Sequence, residues 1–418
     1  MRCARCGNTD ESYFYKGSKG YYCRKCIKFA RTLIIEDLEP LDYQVDVLSN
    51  EYEFNYELTD KQKAASKKCI EALENGDVLL HCVCGAGKTE ISCESISSYL
   101  EKGLKVAYAI ARKEVVIELT QRFKKIFYNA NVVGVYGGHH DNIIGDLIVC
   151  TTHQLYRYPN TFDLLVLDEV DAFPLKGNET LMNISLNSCR GKIIFSTATI
   201  DDHLQKILNS RKYTTVNLFT RPSNKPLIVP KIYYQHKYIH IIYLAYIMHS
   251  MANQCIIFVS NKKMCKLLYM IYSHLFSCTY VYADLEDRNK NILDFKNKKY
   301  KFIFATTVLE RGITINDVNV VILNFDKTFD EANYIQMLGR VGRGIKNPYG
   351  KAYILSNSFD KSIKKTVEYL NLANSYLWNV YFVITKYKEL IWYQSLLKVI
   401  HYVLIVETRW GLIESLCN

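Results

Sequence analysis

At 418 residues the chain is too long for one ordinary core and suits two α/β domains with small additions. Hydrophobic residues at 49%, charged residues at 23% and few Pro or Gly exclude a disordered chain, while 53 Lys and Arg against 42 Asp and Glu favour a polyanionic partner. Fourteen cysteines in a chain of this size, opening without a basic and then apolar leader, argue against a disulfide-rich secreted protein and for a reducing cytoplasm.

Residues 1–35 hold four cysteines among many Tyr, Lys and Gly and lack the apolar mass for a core, so something other than burial must hold them together. From 55 to 218, nearly unbroken apolar runs at 78–84, 106–111, 147–152, 164–168 and 193–197 alternate with helical patterns. Runs without polar alternation predict strands buried on both faces, hence a parallel, helix-covered sheet. Cys82, Cys84, Cys150 and Cys255 fall in such runs and read as small hydrophobes. Two prolines and a serine around 220–226 mark a linker, after which runs at 255–259, 280–283, 302–306, 320–324 and 352–355 predict a second α/β unit over 225–375. The aromatic and aliphatic segment 376–418 predicts one or two amphipathic helices. Its most apolar stretch, 390–406, is broken by Lys398, so no membrane span is expected.

Cys3-x2-Cys6, a sixteen-residue gap, then Cys23-x2-Cys26 is the spacing of a four-thiolate zinc ribbon, two tight turns presenting two sulfurs each. Lys16, Lys19, Arg24, Lys25 and Lys28 are interleaved there with Tyr13, Phe14, Tyr15, Tyr21 and Tyr22, a composition suited to phosphate contact and base stacking or, equally, to a solvated basic surface. The run ending near Cys84 leads into Gly85, Ala86, Gly87, Lys88, Thr89 and Glu90 and then a helical pattern, the order of a phosphate-binding loop whose amides face anionic oxygens. Lys88 suits the β and γ phosphates of ATP and Thr89 suits Mg2+, although Cys82 stands where the strict pattern has Gly. The strand ending in Asp168 and Glu169 supplies an acid to hold magnesium and an acid to activate water. Ser196, Thr197, Ala198 and Thr199 follow the next strand. Gln336-x-x-Gly339-Arg340-x-Gly342-Arg343 predicts two guanidiniums on one helical face that reach developing phosphate charge across a cleft.

These blocks, in this order, resemble the superfamily 2 helicases with DEAD-box-like motifs, and within them the late-competence ComFA family of ATP-driven DNA-uptake proteins. The resemblance is carried by the four-cysteine module, by 84–90, by Asp168, Glu169, Val170, Asp171, Ala172, Phe173 and Pro174, and by 336–343, and it spans roughly residues 1–375. It implies two tandem RecA-like domains at 55–218 and 225–375, a zinc module at 1–35, and an undefined helical tail at 376–418. It further implies that Gln62 reads adenine, that Arg112, Lys113, Thr151, Thr152, Thr306 and Thr307 contact the strand backbone, and that Glu310, Arg311 and Gly312 join strand to nucleotide. The cofactors implied are ATP, Mg2+ and Zn2+. The partners implied are single-stranded DNA and uptake machinery at the inner face of the membrane, with an oligomer allowed and the location cytoplasmic or peripheral to the membrane. Other readings open to the sequence are a replication-restart or RNA-remodelling helicase, and a zinc-dependent binding module with a vestigial motor.

Overall fold

The computed structural model describes residues 1–34, 38–47, 52–139, 141–310, 315, 317–342 and 350–376. The expected tail helices, Arg311, Gly312 and Arg343 lie outside these residues. The chain opens with an antiparallel hairpin of β1 (Phe14–Gly17) and β2 (Gly20–Cys23). It continues through α1 (Asp60–Asn75), β3 (Asp77–Cys82), α2 (Lys88–Leu100), β4 (Val106–Ile110), α3 (Lys113–Ile126), β5 (Val132–Val135), β6 (Leu147–Thr151), β7 (Phe162–Asp168), α4 (Glu179–Asn187), β8 (Cys189–Thr197), α5 (Asp202–Asn209) and β9 (Tyr213–Leu218). The seven strands from β3 to β9 form one parallel sheet in the order β5-β6-β4-β7-β8-β3-β9.

A second parallel sheet follows, built from β10 (Lys231–Tyr234), α6 (Lys237–Ser250), β11 (Cys255–Val259), α7 (Lys262–Tyr272), β12 (Cys278–Val281), α8 (Arg288–Lys296), β13 (Phe302–Ala305), β14 (Asn319–Asn324), α9 (Glu331–Leu338), β15 (Ala352–Ser356) and α10 (Lys361–Ser375). Its order is β10-β15-β14-β11-β13-β12. The architecture is two RecA-like α/β units with a four-cysteine module in front.

The apolar runs are buried throughout, as in β4, β6, β11 and β14. Alternate side chains feed opposite faces: Val78, Leu80, Tyr108 and Val166 enter one core and Leu79, Ala107, Leu165 and Leu167 the other. Truncating a fully buried leucine such as Leu165 to Ala would cost about 2–5 kcal/mol. β5, β9 and β10 were not expected from the sequence. β5 is four residues interrupted by Gly134, while β9 and β10 are edge strands whose polar residues face out. Because β8 lies between β7 and β3, the loops leaving the C-terminal ends of all three open side by side, where ligands of open α/β sheets bind.

Candidate nucleotide site and cysteine cluster

β3 stops at Cys82, and 83–87 form a loop rather than more strand. Gly85 and Gly87 adopt left-handed φ of 82° and 91°, and a Cβ on Gly87 would come within 2.3 Å of the Gln62 Nε2. Gly87 caps α2 without a side chain, which leaves that helix N-terminus open to an anionic ligand above Lys88 and Thr89. Cys84, read above as a strand thiol, instead lies in this loop and donates to Gln336 Oε1 at 3.1 Å. Gln62 is nearly buried: its Oε1 accepts from Thr59 N (3.0 Å) in the capping box of α1, and its Nε2 donates to Ala86 O (2.9 Å). The glutamine therefore ties α1 to the underside of the loop, and Tyr56, Glu57 and Thr59 line the cleft beside it.

Asp168 ends β7 and is buried at the floor of the cleft. Its Oδ1 accepts from Ser196 Oγ (2.8 Å) and Glu169 N (2.9 Å), and its Oδ2 from Tyr108 Oη (2.8 Å). The Tyr108 hydroxyl also lies 3.4 Å from Thr89 Oγ1, so one buried tyrosine spans the two residues expected to hold magnesium. Burial pushes the Asp168 carboxyl up, opposed by the adjacent Lys88 ammonium; burial pushes Lys88 down, and the charges of Asp168, Cys84, Asp171 and Glu169 together more than compensate, so that it rises. A hydroxyl and a carboxylate at the mouth of the phosphate loop form the hard oxygen set that suits Mg2+. Glu169 follows with φ of 55°, a left-handed conformation that bulky residues rarely adopt and that strained active-site positions keep. Thr199 Oγ1 donates to Asp171 Oδ2 (2.8 Å), so Ser196 and Thr199 couple two successive strand ends.

The far wall comes from the second sheet. α9 ends at Leu338, and Arg340 sits in the turn beyond Gly339, not on the helical face expected for it; Gly342 turns the chain away at φ of 69°. Arg340 is buried and donates from Nε to Glu310 O (3.1 Å). Between the walls lies a cleft of about 610 Å3 lined by Gly85, Lys88, Glu90, Asp168, Glu169, Gln336 and Arg340. Arg221, on the connection between the sheets, also lines it. Its guanidinium donates to Cys84 O (3.0 Å) on one wall and to Gly339 O (3.1 Å), Val341 O (2.6 Å) and Gly342 O (3.3 Å) on the other. A second bridge runs from Tyr369 Oη on α10 to Ala198 O (3.1 Å).

The residues expected to touch a strand are divided between the two units, Arg112, Lys113, Thr151 and Thr152 on the first and Thr306 and Thr307 on the second. Arg112 donates to Val308 O (2.8 Å) and Thr307 O (3.4 Å), joining the two units. Lys113 donates to Gly137 O at 3.2 Å and lies over the Tyr136 ring. Thr151 and Thr152 are buried, and Thr306 and Thr307 are half-buried.

The four N-terminal sulfurs lie within 4.8 Å of one another, with Cys3 to Cys26 at 3.8 Å and Cys6 to Cys23 at 3.7 Å. Tetrahedral bonds of about 2.3 Å to one zinc place sulfurs roughly 3.8 Å apart, so this buried cluster fits the ion in number and spacing.

Residues 55–202 match the family model described as type III restriction enzyme, res subunit, and residues 236–344 match the helicase conserved C-terminal domain. Competence protein ComFA of Streptococcus pneumoniae is 30% identical over 389 residues, covering 89% of this chain and 90% of its own. The chain belongs to the ComFA family. ComFA of Bacillus subtilis is 29% identical over 367 residues, covering 82% of this chain and 79% of its own. The fold is shared with Dbp5 of S. cerevisiae, solved bound to RNA and ADP BeF3, at a TM-score of 0.57 and 19% identity over 75% of this chain and 87% of that one. As a ComFA-family superfamily 2 protein the chain is an ATP-hydrolysing helicase or translocase that binds nucleic acid. No helix among the described residues is long and apolar enough to cross a membrane.

Three residues of this ComFA-family site escape the sequence reading. Tyr108 sits in an apolar strand run where a ring reads as core. Arg221 is disguised by the prolines of the connecting segment. Tyr369 lies on an amphipathic helix with no motif around it.

Proposed function

We propose that the chain is an ATP-driven single-stranded DNA translocase that draws incoming DNA inward during competence, in concert with uptake machinery at the inner face of the membrane. The carrying observation is the two-walled cleft, in which Lys88, Asp168 and Glu169 from the first unit face Arg340 from the second while Arg221 bonds both walls. Lys88 neutralises the β and γ phosphates of ATP, and Glu169 orients and deprotonates the attacking water. Thr89 and Asp168 would hold magnesium, which would supply positive charge to neutralise the phosphates. Arg340, with Arg343, stabilises charge that develops as the bond to the γ phosphate breaks. Opening and closing of the cleft, between units spanning about 55–218 and 225–375, alternates the grip of two strand-binding surfaces that carry Arg112, Lys113, Thr151, Thr152, Thr306 and Thr307. Cys3, Cys6, Cys23 and Cys26 hold a structural zinc in the module at 1–35.

The test is ATP turnover of the full chain with single-stranded DNA, duplex DNA and RNA. Single-stranded DNA should stimulate most, and Glu169→Gln should keep nucleotide and strand binding while turnover falls by roughly 10²- to 10⁴-fold. Stimulation by RNA alone would favour a remodelling helicase, and no turnover with saturating DNA would favour a vestigial motor.

A further inference from the structure

The reading above gives the cysteines a structural task and leaves the outer face of their module unused. Residues 1–34 carry eight Lys and Arg against two Asp and Glu, so the module stays cationic even when four thiolates surround a divalent ion. Directly opposite residues of an antiparallel hairpin share a face. Tyr15 pairs with Tyr22, their rings edge-on at 5.9 Å. The Arg24 guanidinium lies 4.6 Å from the Tyr15 centroid and that of Arg31 lies 4.4 Å from the Tyr22 centroid. Arg31 rests over Gly17, where a Cβ would come within 2.2 Å of its Nη2. Among the described residues neither arginine is ion-paired with a carboxylate. Tyr15 remains 51% exposed and Tyr22, opposite it, is half-buried. Tyrosine rings interleaved with guanidiniums that pair with no carboxylate form the chemistry of a base-stacking, phosphate-contacting surface.

The module is also held in a fixed place. Arg5 donates from Nε to Thr32 Oγ1 (2.7 Å) and from Nη1 to Tyr156 O (2.5 Å), and Asn187 Nδ2 donates to Arg5 O (2.9 Å). Phe29 packs 6.1 Å from both the His153 and the Tyr156 rings. These anchors belong to α4 and to the short 3-10 helix Thr152–Arg157, which begins at one of the two threonines assigned above to the strand backbone.

We propose that the Tyr15 and Tyr22 face of the hairpin, with Arg24 and Arg31, is a binding surface for single-stranded nucleic acid that lengthens the strand track beyond the first α/β unit. The rings stack on bases without regard to sequence, and the guanidiniums take the phosphates. The proposal rests on the motor reading, because it needs a strand to reach the turn at Thr152.

The experiment compares fluorescently labelled oligo(dT) of about 10 and about 40 nucleotides on the zinc-loaded full chain, lengths chosen below and above a combined site. Tyr15→Ala and the charge reversal Arg24→Glu, both at exposed positions, should each weaken the longer strand by about tenfold and leave the shorter nearly unchanged. Tyr15→Trp should restore binding, turnover at saturating DNA should stay at the wild-type value, and zinc content should not change. Wild-type binding of both lengths by the Ala and Glu variants, with strand-stimulated turnover intact, would overturn the hairpin surface and leave the motor. Failure of the wild-type chain to bind either oligonucleotide would overturn both.

Discussion

Tyr108→Phe tests whether the buried hydroxyl between Thr89 and Asp168 organises the metal-holding pair. The substitution keeps the ring and its packing against Phe123, centroids 5.2 Å apart, so no cavity of consequence opens. What is lost is one neutral donor to a buried carboxylate at 2.8 Å. Hydrogen bonds to charged groups are worth about 1.5–3 kcal/mol, and 1.4 kcal/mol is a factor of ten. Asp168 keeps Ser196 and the Glu169 amide, so the lower end of that range applies. The magnesium concentration for half-maximal turnover should therefore rise about tenfold, with a drop of similar size in kcat at fixed low magnesium. The direction with pH follows too. The Tyr108 bond lowers the Asp168 pKa, so its loss raises that pKa, and the acid limb of the activity profile should move to higher pH. Steady-state ATPase assays over a magnesium titration at several pH values measure both effects. A folded variant with the magnesium dependence and acid limb of the wild type would refute a positioning role for Tyr108.

Arg221→Lys keeps a charge but cannot fork between Cys84 and the carbonyls of Gly339 and Val341. We expect strand-stimulated kcat to fall by about tenfold or more and KM for ATP to rise, as read by steady-state kinetics, and wild-type values would sink the idea of a two-walled pin. Purified protein should contain near-equimolar zinc, and Cys23→Ala should lower it and make residues 1–34 sensitive to limited proteolysis, whereas a zinc-free chain with a protease-resistant N-terminus would refute a structural zinc.

The parts of the site that are contiguous in the chain were legible in the sequence. Lys88 and Thr89 follow a strand by a few residues, Asp168 and Glu169 end one, and the cysteine pairs carry the spacing of a four-thiolate site. Positions defined by where a helix stops were less legible. Arg340 looked helical because the pattern of α9 runs into it, yet the turn beginning at Gly339 takes it out of the helix. Cys84 looked like strand because 78–84 is apolar but for His81, and the left-handed glycines of the loop lie just beyond it. Contacts made only by the assembled fold left no trace in the chain. Nothing near Tyr108 distinguishes it from a core ring, and nothing around Arg221 announces carbonyls more than a hundred residues away.

Every bond that fastens the cysteine module to the body of the protein, among the described residues, ends on the first α/β unit, at Asn187, Tyr156 and the ring of His153. On the proposed opening and closing of the cleft, the module would travel with that wall and keep its distance from the Thr152 turn, while its distance from the second unit would change with each ATP. A tether point placed on the module therefore reports the position of one half of the motor. A fluorophore pair joining Lys19 to α7 would brighten and dim with the catalytic cycle, whereas a pair joining Lys19 to α4 would stay constant.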